Sequence, residues 1–157
     1  MKYPQHQKWY EEAKKFRNES PASLALALSD KPVEERRFIL NQVNGYQKSL
    51  DKFPFLTNSS FEYHDPIAVE QASSEDTARY KAAKFAKGNI LDLSGGMGID
   101  SWFFSNFCER VTHVEINEAL HKITAMNFKN AGKENVSFVC SSADDFVQQT
   151  NERFNLV

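Results

Sequence analysis

Cysteine is nearly absent from this chain. Its 157 residues include two, Cys108 and Cys140, far apart and outside any C-x-x-C pattern, which argues against a disulfide framework or a cysteine-bound zinc. Two buried free thiols are expected instead. The four histidines, at 6, 64, 113 and 121, form no pair at ligand spacing, so neither a metal centre nor histidine-based catalysis is expected. A nucleophile elbow is missing too, because Leu93-Ser94-Gly95 lacks the first glycine of G-x-S-x-G. No apolar run approaches the roughly 18 residues of a membrane helix, and the start, Met-Lys-Tyr-Pro-Gln-His-Gln, has no signal-peptide core. A soluble cytoplasmic protein without a membrane partner is the expectation. Dense positive charge is also lacking. The net charge is −2, with 10 basic against 7 acidic residues in positions 1–60 and 9 against 14 in positions 61–157. Lys8, Lys14, Lys15 and Arg17, with Arg36 and Arg37, are the basic clusters, and solvated helix faces explain them as well as a nucleic-acid surface does.

Aromatic residues are plentiful, with 13 Phe, 5 Tyr and 2 Trp available for a core of about one domain. The first part reads as helical. Ser20-Pro21 is a helix cap followed by proline at the first helical position, and Pro32 repeats the signal. Ile39, Val43, Tyr46, Leu50 and Phe53 then lie on one helical face, and Pro54 ends that helix. The stripe fits either packing against another helix or a cap over a substrate entrance. Phe55 to Asp65, with Asn58-Ser-Ser60, reads as a polar, turn-rich connector. The expected division is a helical region over 1–65 and a second domain over 66–157.

The second domain carries the chemistry. In Gly88-Asn-Ile-Leu-Asp-Leu-Ser-Gly-Gly-Met-Gly-Ile-Asp100 a short apolar run ends in a carboxylate, enters a glycine-rich turn and continues into a helix-like segment from about Ile99 to Phe107. Glycines at 96 and 98 let the backbone turn sharply and let a ligand approach it, while the helix start offers unpaired N–H groups. A plain strand-to-helix turn would use the same residues. Context favours the cofactor turn. A second β-like run, Arg110 to Glu115, ends in a carboxylate 17 positions beyond Gly98, where an acceptor for ribose hydroxyls is expected. A helix capped by Asn117 and ending near Gly132 leads to a third run, Asn135 to Cys140, and Phe154 to Val157 looks like the opening of a fourth. This alternation predicts an α/β fold: a partial Rossmann-like, doubly wound parallel sheet of about four strands. A further helix over about Glu75 to Lys87 has Ser73 or Ser74 as its cap.

Two cofactor classes share this layout. The dinucleotide pattern G-x-G-x-x-G/A, started at Gly96, ends on Ser101 and is imperfect. Asp92-Leu-Ser-Gly-Gly-Met-Gly98 resembles motif I of class I S-adenosylmethionine-dependent methyltransferases, with Ser94 in place of the usual first glycine. Glu70 to Ala82 and Gly45 to Pro54 resemble the N-terminal region of bacterial methyltransferases that carry a C-terminal THUMP-like domain. The resemblance implies S-adenosylmethionine as cofactor, held at the carboxyl ends of the first three strands by Asp92, Ser94, Gly95, Gly96, Gly98, Asp100, Glu115, Ile116, Ser142, Ala143 and Asp144. Within that set Asp92 faces the methionyl ammonium or a water on it, and Glu115 holds the ribose. Asp100 either orients the methionine end or caps the helix; Glu70, Gln71, Ser73 and Ser74 either reach the cofactor's methionine end or its substrate, or the serines simply cap the next helix. At the third strand's end the family usually offers an acidic residue to the adenine amine, and Ser142 stands there. Either the backbone of Ser142 and Ala143 with Asp144 recognises adenine, or Ser142 and Asp145 cap the following helix.

The resemblance further implies a nucleic-acid-related domain and a nucleic-acid substrate for the whole protein. With the fourth run stopping at Val157, the chain is expected to be a fragment, inactive alone and prone to self-association through an open sheet edge. A nicotinamide-dependent oxidoreductase fragment and a non-catalytic binding module are the alternatives.

Overall fold

A computed structural model describes residues 4–57 and 60–157, in two compact units, one ending at Glu70 and the other beginning at Gln71. The first unit contains α1 (Pro4–Lys15), α2 (Pro21–Ala27) and α3 (Val33–Lys52), then a 3₁₀ turn at Pro54–Leu56 and α4 (Pro66–Gln71) at its end. Ser20 caps α2, its Oγ accepting from the Ser23 amide at 3.2 Å, with Pro21 in the first turn. Pro32 stands one place earlier than expected, as the residue before α3, which opens with Glu34 and Glu35 near its positive end. Ala13, Leu24, Leu28, Ile39 and Val43 form the apolar core, with Trp9, Phe16 and Leu40 packed against it.

The buried face of α3 departs from the expected stripe. Ile39 and Val43 are buried, but Leu50 is 41% exposed, and Gln42, Gly45 and Ser49 are buried in its stead. The cause is Tyr63. Its backbone N–H donates to Gln42 Oε1 at 3.0 Å, its carbonyl accepts from Gln42 Nε2 at 2.6 Å, and its hydroxyl lies 2.7 Å from Ser49 Oγ. Polar groups can face a core when each finds a partner. Phe61 and Tyr63 therefore belong to the interior, and the stretch expected to be a polar connector contributes two aromatic rings to packing. Of the turn expected at 58–60, Asn58 and Ser59 lie outside the described residues.

The second unit holds α5 (Glu75–Phe85), β1 (Asn89–Asp92), α6 (Ile99–Phe104), β2 (Arg110–Glu115), α7 (Glu118–Asn130), β3 (Val136–Cys140) and α8 (Ala143–Gln149). The sheet is parallel in the order β1-β2-β3, with Asp92 opposite His113 and Glu115 opposite Cys140. On the free side of β1, Leu156 forms a single parallel bridge to Ile90, and the Leu91 amide donates to the Leu156 carbonyl at 2.9 Å. The expected fourth strand is thus present as one bridged residue. The architecture is the predicted partial Rossmann-like one. Central β2 is buried on both faces, from Val111 to Val114, as a strand flanked on either side should be.

Element ends differ modestly from expectation. α6 stops at Phe104 rather than Phe107, because Ser105 Oγ donates to the Trp102 carbonyl at 2.7 Å and the chain tightens into a turn. α5 ends at Phe85 and is capped by Ser74, whose Oγ accepts from the Thr77 amide. Asn117 caps α7 by accepting from the Ala119 and Leu120 amides, and Gly132 follows it at φ +69°. The thiols are free, but Cys108 is half-buried and Cys140 exposed, contrary to the expectation of two buried sulfurs; Cys140 is the last residue of β3, where the strand leaves the packed region.

A Cβ on Gly45 would lie 2.4 Å from Cγ of the Tyr63 ring, so the helix and the ring could not both keep their places. Gly45→Ala should lower stability by about 1–3 kcal/mol, the usual cost of overpacking. Chemical denaturation would read this as a lower midpoint at unchanged slope; an unaltered midpoint would show that Tyr63 does not need the notch.

Candidate functional site

The turn after β1 is pinned from three sides. The Gly95 amide donates to the Val114 carbonyl at 3.0 Å, the Gly98 amide to the Gly95 carbonyl at 2.8 Å, and Thr124 Oγ1 donates to the Gly96 carbonyl at 3.1 Å. Gly96 and Gly98 have φ of +56° and +82°, which other residues rarely adopt. Their surroundings differ. A Cβ on Gly98 would press on Phe128 and Thr124 within 3.0 Å, whereas one on Gly96 would meet nothing nearer than 3.9 Å. Gly98 closes the turn against α7, and the outer side of Gly96 is open.

Glu115, at the end of β2, uses both oxygens on backbone. Oε2 accepts from the Gly96 amide at 3.0 Å and Oε1 from the Asn117 amide at 2.7 Å. Ionised acceptors make the stronger hydrogen bonds, so this carboxylate ties the glycine turn to the start of α7. Each oxygen retains a further lone pair for a hydroxyl.

Beneath the turn runs a buried polar chain that no sequence pattern marks. Ser101 Oγ donates to Asp92 Oδ2 at 2.7 Å and lies 3.2 Å from His113 Nδ1. Ser101 and His113 are both fully buried. A hydroxyl has one proton. With that proton on Asp92, the imidazole must carry its own on Nδ1 and donate it to Ser101, leaving Nε2 bare. Nε2 is buried without a hydrogen-bond partner, and the ring lies against Phe138 and Phe128. Burial pushes the His113 pKa down to about 4. Burial also raises that of Asp92, while the Ser101 hydroxyl and the Ser94 amide pull it back.

Asp100 faces a different set. Its Oδ2 accepts from Ser73 Oγ at 2.7 Å and from Lys81 Nζ at 2.9 Å, and Oδ1 is buried without a partner. Lys81, Asp92, Ser94 and Asp100 line one open cleft of about 520 Å³ along β1, together with Phe104 and Leu156. The cleft combines an ammonium, two carboxylates and an apolar wall.

Of the residues predicted from sequence, Asp92, Ser94, Gly95, Gly96, Gly98, Asp100 and Glu115 come together around the β1 turn. Ile116 follows Glu115 and is 71% exposed. Ser142 caps α8: its Oγ accepts from the Asp145 amide at 3.1 Å and donates to Asp145 Oδ2 at 2.7 Å. The capping expected of Ser142 and Asp145 is observed, and it uses the serine side chain. Ala143 and the exposed Asp144 form the first turn of α8. Ser74 likewise caps a helix, Ser73 binds Asp100, and Glu70 pairs with Lys48 in the first unit. Sequence reasoning misses Lys81, Ser101, His113 and Thr124. No local pattern marks them, since each acts on a residue at least nine positions away.

No family model matches the sequence, nor does any curated protein. In structure the chain resembles the "putative methyltransferase" from Porphyromonas gingivalis W83, with a TM-score of 0.76 and 22% identity over 94% of this chain. The two share a fold. The chain spans 38% of that protein's length. Among the described residues no group of His, Cys, Asp and Glu could hold a metal ion, and no helix is long and apolar enough to cross a membrane.

The low pKa of His113 sets a pH dependence. As pH falls below about 6.5 the unfolded chain takes up the proton that the folded ring refuses, so stability is full above about 6.5 and is lost progressively toward about 4. At pH 5 this group alone should cost about 2 kcal/mol relative to pH 7. Asp92, raised by burial, works in the opposite sense, so the comparison must be with a His113→Asn variant. The gap in melting temperature between wild type and variant should narrow on acidification; a constant gap would mean that His113 titrates normally.

Proposed function

We propose that this chain binds S-adenosylmethionine and forms the cofactor-binding part of a methyltransferase. The observation that carries the reading is the Glu115 carboxylate clamping the Gly96 amide, beside a glycine whose outer side is open. That arrangement offers ribose hydroxyls an ionised acceptor and lets a nucleoside approach backbone. The charged cleft supports the same reading. A methionyl group is zwitterionic, and the Asp92 and Asp100 carboxylates that line the cleft suit its ammonium while Lys81 suits its carboxylate. The shared fold with the Porphyromonas gingivalis protein adds to this.

S-adenosylmethionine brings an already activated methyl on a sulfonium, so the chemistry asked of the protein is alignment and exclusion of water. In this reading Asp92, Asp100 and Lys81 orient the amino-acid end, Gly96 and Glu115 receive the ribose, and the backbone of Ser142 and Ala143 with Asp144 flanks the base. A nucleic acid as methyl acceptor is supported by the family resemblance alone.

The full chain should bind S-adenosylhomocysteine and not NAD in a calorimetric titration; NAD binding with no response to the sulfur cofactor would refute the reading. Glu115→Ala should weaken binding by about 10- to 100-fold, since it removes an ionised acceptor worth about 1.5–3 kcal/mol. An unchanged dissociation constant in a folded variant would show that the ribose is held elsewhere.

A further inference from the structure

We propose that Ser101 and His113 are positioning residues for ligand amines: the buried hydrogen-bond chain from His113 Nδ1 through Ser101 Oγ to Asp92 Oδ2 holds the Asp92 carboxylate at the cleft, as the acceptor for a cationic amino group. The proposal rests on the cofactor reading above and names two residues that this reading does not require.

The geometry constrains the chain of bonds to one polarity when Asp92 is ionised. Ser101 can donate once, and its 2.7 Å contact to Asp92 takes that proton. The 3.2 Å contact to His113 must then run from Nδ1–H to the serine oxygen. Donation by the imidazole polarises the hydroxyl and strengthens its bond to the carboxylate. The ring cannot move to spoil this. It lies under the turn so closely that a Cβ on Gly95 would come within 2.1 Å of Cε1, and Phe138 packs 5.0 Å away on centroids. Asp92 lines the cleft that also holds Lys81 and Asp100, so its carboxylate, which the Ser94 amide also holds, is within reach of a ligand there. Neither Ser101 nor His113 is exposed, which excludes a nucleophilic or proton-transfer role at the ligand.

Electrostatics act in the same direction. Burial favours a protonated Asp92, which could not receive an ammonium, and the Ser101 hydroxyl opposes this by bonding to the ionised form. The charged and titratable groups around the chain are Asp100 of α6 and Lys81 of α5 near Asp92, and Glu115 of β2 and His121 of α7 near His113. Loss of the hydroxyl should therefore weaken amine binding more strongly as pH falls.

The test compares two ligands on the full chain by calorimetry. S-adenosylhomocysteine carries the amino-acid end, and 5′-methylthioadenosine lacks it while keeping adenosine and sulfur. Ser101→Ala should weaken the first by about tenfold, the scale of one hydrogen bond to a charged group, and leave the second within about twofold. The deficit should grow as pH is lowered from neutral. His113→Asn, which retains a donor near the Nδ1 position, should preserve the preference for the amino-acid ligand, whereas His113→Leu should reduce it. Equal weakening of both ligands by Ser101→Ala would assign the chain to shaping the turn only, overturning the proposal while the cofactor reading stands. No weakening of either ligand would overturn it as well. Failure of the wild-type chain to bind either ligand would defeat the cofactor reading itself. Should Ser101→Ala lose its circular dichroism, the two His113 variants decide: equal preference in both refutes the proposal.

Discussion

The placement of one imidazole under the glycine turn determines much of what surrounds it. His113 occupies the central strand, opposite Asp92 on β1, and fills the space between the sheet and the turn. Gly95 has no side chain to spare there. The ring's donor goes to Ser101, whose hydroxyl goes to Asp92, so a buried strand and helix residue are joined to a carboxylate at the cleft by groups that satisfy one another. A polar residue in a fully buried strand would otherwise be destabilising. Here its Nε2 is the one atom left bare, and burial keeps the ring neutral.

Two carboxylates beside this core divide the work of holding the turn. Glu115 grips the Gly96 and Asn117 amides and so fixes the backbone from the β2 side. Asp100 is held by Lys81 and Ser73 and fixes the packing of α5 against α6. Lys81 and Asp100 are only partly exposed and share a third partner, which makes their pairing firmer than that of an isolated surface ion pair. The open cleft that Lys81 and Asp100 both line keeps both signs of charge at its surface.

The first unit follows a similar rule with a different residue. Tyr63 is inserted against α3 where Gly45 provides room, and Gln42 and Ser49 take up its backbone and hydroxyl. The buried face of that helix is therefore part apolar and part polar. A hydrophobic period alone finds Ile39, Val43 and Phe53 but places the exposed Leu50 inside and passes over Gln42 and Ser49, because it cannot register a polar residue that is buried by having a partner far along the chain.

Local chemistry made several features legible in the sequence. Ser20, Ser74 and Asn117 cap helices because short polar side chains reach their own backbone, and Gly96 and Gly98 mark the turn because positive φ excludes most other residues. Strand, turn and carboxylate at these spacings determined the parallel α/β architecture, and with it the positions of Asp92 and Glu115 at adjacent strand ends. The tertiary structure alone decided the rest. That Lys81 meets Asp100, that Ser101 joins Asp92 to His113, and that Phe61 and Tyr63 are core rather than connector depends on contacts between residues 9 to 51 positions apart. Such partners leave no periodic trace, since a side chain's burial there is set by what the fold brings to it and not by its neighbours in the chain.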